Sequence, residues 1–323
     1  MILITGGTGF IGSHVAERLV TDGTVVRCLV RSAAGLRGLP QANIELAYGD
    51  LVSGDGLTAA LRGVSTVIHL AGVTKARRTA DYQAGNAIAT ANLVAAANGL
   101  ARFVHISSLA AAGPSGNAPL TEDSPPCPVS HYGRSKLAGE QAVQNSPLWH
   151  RSIIIRPPVV FGPRDTDVFQ VIRAAAQGWI LQIGRAVRQF SWIYVTDLVD
   201  ALVKAAGASP FTGGRIYHIA HPSPVSWQEF GRAAARILAR SARILAVPET
   251  AAYALGACAE LWNHWSRKPG ILSRDKVVDA CCSGWVCDTG RACRELGFRA
   301  NIGLEDGLRR AIAWYKEAGW LKR

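Results

Sequence analysis

A tyrosine and a lysine stand four residues apart in His131-Tyr132-Gly133-Arg134-Ser135-Lys136, at the start of a helical pattern. On a helix that spacing turns both side chains to one face, about 40° apart. A phenol is a poor base at neutral pH, because it loses its proton only at about pH 10. A neighbouring ammonium stabilises the phenolate and lowers that pKa, so the pair could pass a proton to or from an alcohol or ketone. The same ammonium could reach the ribose hydroxyls of a nicotinamide nucleotide. A donor for the substrate oxygen is then needed nearby. The run Arg102-Phe103-Val104-His105-Ile106-Ser107-Ser108 ends in two hydroxyls, one of which could act as a small oxyanion-type stabiliser. Alternatively they finish a strand and cap the loop after it.

The other chemistry-bearing pattern lies at the amino end. An apolar run leads straight into Thr5-Gly6-Gly7-Thr8-Gly9-Phe10-Ile11-Gly12 and then into a helical pattern. Glycines at 6, 9 and 12 suit a tight turn, close backbone approach to a pyrophosphate and close packing of helix on strand. With Thr8, Phe10 and Ile11 they open a helix whose free N–H groups and dipole attract phosphate. At the end of the second apolar run an acid would hydrogen-bond the adenosine ribose and favour NAD. This sequence has Leu29-Val30-Arg31-Ser32, about nineteen residues after Gly12. A guanidinium can pair bidentately with a 2′-phosphate, so NADP is expected, with NAD as the alternative. In Gly49-Asp50-Leu51, Asp50 could meet the adenine amino group or cap the following helix.

These residues need strands and helices in alternation to hold them. Strands are predicted at Ile2–Thr5, Val25–Val30, Ile44–Tyr48, Thr66–Leu70, Phe103–Ser107 and Ser152–Arg156. Helical patterns fall near Phe10–Asp22, Asp55–Leu61, Tyr82–Asn98 and Tyr132–Gln144. That alternation predicts an α/β Rossmann fold: a doubly wound parallel sheet with ligands above the carboxyl ends of its strands. Beyond Pro157-Pro158 the pattern is less regular, with one more strand at Phe190–Val195. Helices are expected near Asp197–Ala206, Ser226–Leu238, Glu249–Ser266 and Leu304–Lys316. The expected division is a dinucleotide-binding domain over 1–156, with 188–206 contributing back to it. A smaller, mostly helical substrate-binding region and lid covers 157–323. Five of the nine tryptophans fall after residue 260, in keeping with a lid over the sheet's edge.

Composition narrows the class further. Of the 323 residues 49% are hydrophobic and 18% charged, which excludes a disordered chain. There is no apolar run of about eighteen residues, and the chain enters a strand at Ile2, so neither a membrane span nor a signal peptide is expected. The expected location is the cytoplasm, where the seven scattered cysteines would be reduced thiols. Cys281, Cys282, Cys287 and Cys293 crowd one stretch but include no C-x-x-C pair, so no metal site is expected. The net charge of +12 is spread along the chain without a basic block. It reads as solvated surface rather than a nucleic-acid site, with a weak membrane-surface contact as the lesser reading. In Ala251–Trp265 the side chains Tyr253, Leu255, Leu261, Trp262 and Trp265 could form an apolar stripe, read first as core packing and second as a greasy lid.

With these residues assembled, the chain resembles the extended short-chain dehydrogenase/reductase family, the NAD(P)-dependent epimerase/dehydratase group. The resemblance runs nearly the whole length. It includes Thr5–Gly12, Gly49-Asp50-Leu51, His69-Leu70-Ala71-Gly72, Asn86 with Ala91-Asn92-Leu93, and Ile106-Ser107-Ser108. It continues through Tyr132–Lys136, Arg156-Pro157-Pro158-Val159-Val160-Phe161-Gly162-Pro163 and Tyr194-Val195-Thr196-Asp197. The resemblance implies Ser108 as the catalytic hydroxyl, with Ser107 as runner-up, beside Tyr132 and Lys136. It also implies that Ala71 and Gly72 line the cofactor and that Pro158 lies near the nicotinamide.

Three departures select a branch. Sugar-nucleotide epimerases of this group tend to carry Asn where Pro158 stands, and an Arg for the substrate diphosphate where Phe190 stands. Arg185 and Arg188 lie close by. The dehydratases carry two acids after the catalytic hydroxyl, where this chain has Ser108-Leu109-Ala110. The resemblance is therefore closest to the hydroxysteroid dehydrogenase and dihydroflavonol reductase branch. The expected function is hydride transfer between NAD(P) and a secondary alcohol or ketone, on a small-molecule substrate, by a chain that could form a homodimer. The alternatives are a nucleotide-sugar epimerase and, from another class, a non-catalytic cofactor-sensing protein.

Overall fold

Runs such as Ile2-Leu3-Ile4 and Ile153-Ile154-Ile155 have no polar face, which suits strands covered on both sides. In the computed structural model they form a wholly parallel sheet of seven strands, ordered β11-β6-β5-β4-β1-β2-β3. The structure describes residues 1–323 apart from 34–35, 37–38, 40–42, 98, 117, 209–212, 266–273 and 322–323, with the backbone alone over 260–265. In chain order the sheet strands are β1 (Ile2–Thr5), β2 (Val26–Val30), β3 (Ile44–Tyr48), β4 (Thr66–His69), β5 (Arg102–Ile106), β6 (Ser152–Arg156) and β11 (Arg215–His218). Three small pairs lie outside it. They are β7 (Val159–Phe161) with β10 (Trp192–Tyr194), β8 (Trp179–Ile183) with β13 (Arg243–Val247), and β9 (Gln189–Phe190) with β12 (Val225–Ser226).

Alternate side chains of the sheet feed two cores. Ile4, Ile68 and Val104 pack with α1 (Phe10–Thr21) and α8 (Val195–Gly207). Leu3, Val67, Phe103 and Ile154 pack with α2 (Leu57–Ala60), α4 (Ala89–Ala96) and α6 (His131–Gln144). Helices on both faces make the sheet doubly wound, and the strand order reverses between β1 and β4, where ligands bind in such folds. The other helices are α3 (Thr79–Tyr82), α5 (Leu109–Ala112), α7 (Val168–Ala176), α9 (Trp227–Ile237), α10 (Glu249–Trp265), α11 (Arg274–Cys281), α12 (Gly290–Glu295) and α13 (Leu304–Glu317).

Two expectations are corrected. Phe190–Val195 is not one strand of the main sheet but parts of β9 and β10, split at Ser191, whose N–H bonds the Trp285 carbonyl at 2.8 Å. The seventh sheet strand is β11 instead. In α10, Tyr253 and Leu255 face solvent at 39% and 55% exposure rather than joining a core; the side chains of Leu261, Trp262 and Trp265 lie outside the described residues. Among the described residues no helix is long and apolar enough to cross a membrane.

Helix α6 is tied to β6 by a buried ion pair. Arg156 donates to Glu140 through Nε (2.8 Å) and Nη2 (2.6 Å), with both side chains withdrawn from solvent. Breaking such a pair leaves an uncompensated buried charge. Glu140→Ala should therefore cost about 3–5 kcal/mol in urea unfolding; a loss below about 1 kcal/mol would show that the pair does not hold α6 to the sheet.

Candidate active site

The turn after β1 has the form a phosphate loop needs. Gly6 sits in the left-handed region at φ 71°, and a Cβ there would lie 2.6 Å from the Ala71 backbone nitrogen. A Cβ at Gly12 would lie 2.1 Å from the Gly6 carbonyl oxygen, so only glycine lets α1 start this close to β1. The Gly9 N–H donates to Gly6 O at 3.0 Å, and Ser13 N to Gly9 O at 2.9 Å begins the helical ladder. The N–H groups of Phe10, Ile11 and Gly12 therefore stand at the open amino end of α1. The side chains of Phe10 and Ile11 pack back on the core, Phe10 with its ring 5.8 Å from that of His14.

Beside this loop lies a cleft of about 400 Å³ over the carboxyl ends of β1, β2 and β4. Its walls include Gly6, Thr8 and Gly9 at one end, Arg31, Ser32, Asp50 and Leu51 at another, and Ala71, Gly72 and Val73 along the side. Asp50 lines the cleft but is also a local cap, its Oδ1 accepting from Val52 N (2.6 Å) and Ser53 N (3.3 Å). The glycine cradle, the open helix end and the length of this wall fit a nicotinamide dinucleotide.

The residues expected to move the proton converge beside that wall through a helix cap and two close backbone approaches. Ser130 caps α6, accepting from Gly133 N at 3.1 Å. A Cβ at Gly133 would meet Ala110 O at 2.4 Å, and one at Gly139 would meet Asn86 O at 2.7 Å. Lys136 is thereby buried, its Nζ donating to Ile106 O at 2.6 Å, and it lies 3.8 Å from where a Gly72 Cβ would be. Ser108 accepts from Ala110 N at 3.2 Å as the cap of α5, and its hydroxyl lies near enough to the Tyr132 phenol to pull that pKa down. Ser107 is turned away, donating from burial to Glu140. Pro158 stands between β6 and β7, next to Pro157, whose carbonyl accepts from Leu109 N at 2.8 Å; it is not part of the cleft wall.

The electrostatics differ from the simple expectation. Burial pushes Tyr132 up to about 12 against the pull of the nearby Ser108 hydroxyl, and the charges of Asp279, Tyr82 and Asp167 add to the rise. Burial also lowers Lys136 to about 8, partly offset by Glu140. Beneath them His69 stacks on His105 at 5.1 Å, and burial, then the Lys136 charge, holds both imidazoles neutral.

Two participants lay outside the site residues expected from the sequence: Asn86, which entered only as part of the resemblance, and helix α11. Asn86 lies in a π-helical turn, Gln83–Ile88, a form that clusters at functional sites. Its amide donates to Val73 O (3.0 Å) and Ser135 Oγ (2.9 Å) and accepts from Val73 N (2.8 Å), bracing the cleft wall against α6. Helix α11 crosses the start of α6. Asp275 accepts from His131 N (2.6 Å) and Tyr132 N (3.2 Å), and Lys276 reaches Asp167 at 3.2 Å. A polar helix of eight residues offers little periodicity to find it by.

Sheet, glycine turn and wall define a nicotinamide-dinucleotide enzyme. Residues 2–220 match the family described as NAD dependent epimerase/dehydratase, and the chain belongs to it. Over its full length it is similar to a ceramide reductase of Caulobacter vibrioides, 29% identical over 326 residues that cover 96% of that protein. It is 26% identical to a 4-hydroxy-2-methyl-3-oxo-4-farnesyl-3,4-dihydroquinoline-1-oxide ketoreductase of Stigmatella aurantiaca, over 94% of this chain and 93% of that one. The structure of MoeE5 in complex with UDP-glucose and NAD superimposes with a TM-score of 0.79 at 26% identity, covering 98% of this chain and 99% of the other.

A lysine that works as an ammonium loses its charge as pH rises through its pKa. With Lys136 lowered to about 8, kcat/KM for the cofactor, which reports the free enzyme, should fall above about pH 8. A profile level up to about pH 10, the ordinary lysine range, would show that Lys136 is not the titrating group.

Proposed function

We propose that this chain is an NADP-dependent oxidoreductase that interconverts an apolar ketone and its secondary alcohol, with residues 157–323 supplying the substrate side. The observation that carries the reading is the Ser108 hydroxyl beside the Tyr132 phenol, near enough to pull its pKa down, with Lys136 on the same helix and beside Gly72. A nicotinamide bound along the wall supplies or accepts the hydride. Tyr132 gives its proton to the oxygen as the alcohol forms, and Ser108 hydrogen-bonds the same oxygen. Kept near 12 by burial, the phenol holds its proton until the substrate oxygen gains negative charge, which suits an acid for ketone reduction. Lys136 steadies the phenolate left behind and meets the nicotinamide ribose. Gly6, Thr8, Gly9, Phe10, Ile11 and Gly12 take the pyrophosphate, and Ala71 and Gly72 the middle of the cofactor. Pro158 flanks the nicotinamide end.

Arg31, exposed on the wall beside Ser32 at the end of β2, supports NADP over NAD through a 2′-phosphate. Asp50 and Leu51 close the adenine end. For an apolar ketone against a nucleotide sugar, the support comes from the diphosphate positions. Phe190 is 3% exposed and stacked on Trp227 at 4.1 Å, and Arg188 is paired with Glu249. The printed activities of the ceramide and farnesyl-dihydroquinoline relatives point the same way. Free cysteines, with no disulfide among the described residues, suit a reducing compartment such as the cytoplasm.

Tyr132→Phe should lower turnover of a long-chain ketone by about a hundredfold or more, with cofactor affinity nearly unchanged. Near-normal turnover would remove Tyr132 from the mechanism. Arg31→Ala should weaken NADP by about 1–3 kcal/mol in a fluorescence titration and barely change NAD. Tighter wild-type binding of NAD than NADP would overturn the cofactor assignment.

A further inference from the structure

The parallel pair β8–β13 stands apart from the main sheet and presents an unusual outer face. Its register sets Trp179 beside Arg243 and Leu181 beside Leu245. Alternation decides which way they point. Ile180 is 2% exposed and lies against Gly231 of α9, so its neighbours turn the other way. Trp179 is 46% exposed, Leu181 56% and Leu245 46%, with Arg243 exposed among them. Val187 in the loop after β8 is 61% exposed, while Ile244, opposite Ile180 in the register, belongs to the other face. Thirteen large apolar side chains are exposed among the described residues, and four of them, Trp179, Leu181, Leu245 and Val187, fall on this face and its adjoining loop. Tyr253 and Leu255 follow on α10, directly after β13. Single exposed apolar residues are ordinary, but a cluster marks an interaction surface.

The charge around this face is one-sided. Segments 177–188 and 239–248 contain Arg185, Arg188, Arg240 and Arg243 and no aspartate or glutamate. Arg188 is spent on Glu249, while Arg185, Arg240 and Arg243 are exposed. A two-fold contact with a second copy would bring these arginines together with no acid from either segment between them. An anionic lipid surface complements both components at once, because acyl chains accept Trp179, Leu181 and Leu245 while phosphates meet the arginines. Tryptophan at the rim of an apolar patch is itself suited to the lipid–water boundary.

We propose that the outer face of β8–β13 docks this protein on an anionic membrane surface. The contact is peripheral and independent of the reaction assigned above.

Flotation of the full chain with vesicles tests it, comparing phosphatidylcholine alone with phosphatidylcholine mixed with phosphatidylglycerol. The wild type should float with the mixed vesicles, weakly with the neutral ones, and less as salt is raised. Trp179→Ser/Leu181→Ser and Arg240→Glu/Arg243→Glu should each lower bound protein at least tenfold while cofactor affinity is retained. The arginine pair is fully at the surface, so it decides the matter even if the apolar variant fails to fold. Arg62→Glu/Arg299→Glu, the same charge change at exposed arginines elsewhere, should leave flotation as in the wild type. The proposal is overturned if the wild type ignores the mixed vesicles, or if both arginine pairs lower flotation equally, which would mean net charge alone is responsible. It is also overturned if sedimentation finds a dimer that Arg240→Glu/Arg243→Glu strengthens and vesicles do not dissociate.

Discussion

The arrangement depends on burying one ammonium, that of Lys136, against a backbone carbonyl at the end of β5. A charge in that position must be approached from all sides or not at all. Glycine at 72, 133 and 139 allows the approach, since a methyl group at any of them would collide with a neighbouring atom. Glu140, one turn on from Lys136, returns negative charge to the same face, and Arg156 in turn fixes Glu140. Ser107 is drawn into this pair, which leaves Ser108 alone facing Tyr132. Two adjacent hydroxyls thus take different partners, Ser107 on Glu140 and Ser108 beside Tyr132.

Much of this was legible in the residues. The strand runs from Ile2 to Arg156 differ from the structure by at most one residue at an end, because parallel strands buried on both faces are apolar throughout. The glycine turn and the Tyr132/Lys136 spacing were legible because each needs only local geometry. What escaped depends on distant partners. Glu140 and Arg156 each look like solvated charges until the fold sets them face to face. Asn86 entered only through the resemblance, and its part in bracing the wall after β4 against α6 shows only once its partners Val73 and Ser135 are brought to it. The runs that became β8 and β13 are short and apolar, and nothing local distinguishes a detached pair from strands of the main sheet. The expected fall in the Tyr132 pKa failed for a related reason: spacing shows proximity to a charge but not the depth of burial opposing it.

The two halves of the chain divide their work along this line. The first half carries the parts whose form follows from dinucleotide geometry, namely turn, wall and catalytic helix. The second half returns β11 to the edge of the same sheet and then builds small satellite pairs and helices. Phe190, Trp227 and Phe230 form an aromatic cluster there.

The crossing of α11 over the start of α6 has a mechanical consequence. Asp275 satisfies the amide hydrogens of His131 and of Tyr132 itself, so the catalytic helix borrows part of its capping from a remote segment. The two amide hydrogens at the start of α6 and the Lys276–Asp167 pair therefore answer to one segment. A displacement of α11 would strip the cap and part the ion pair at the same stroke, so disorder in a helix remote in sequence would be felt at Tyr132 before it was felt in the sheet.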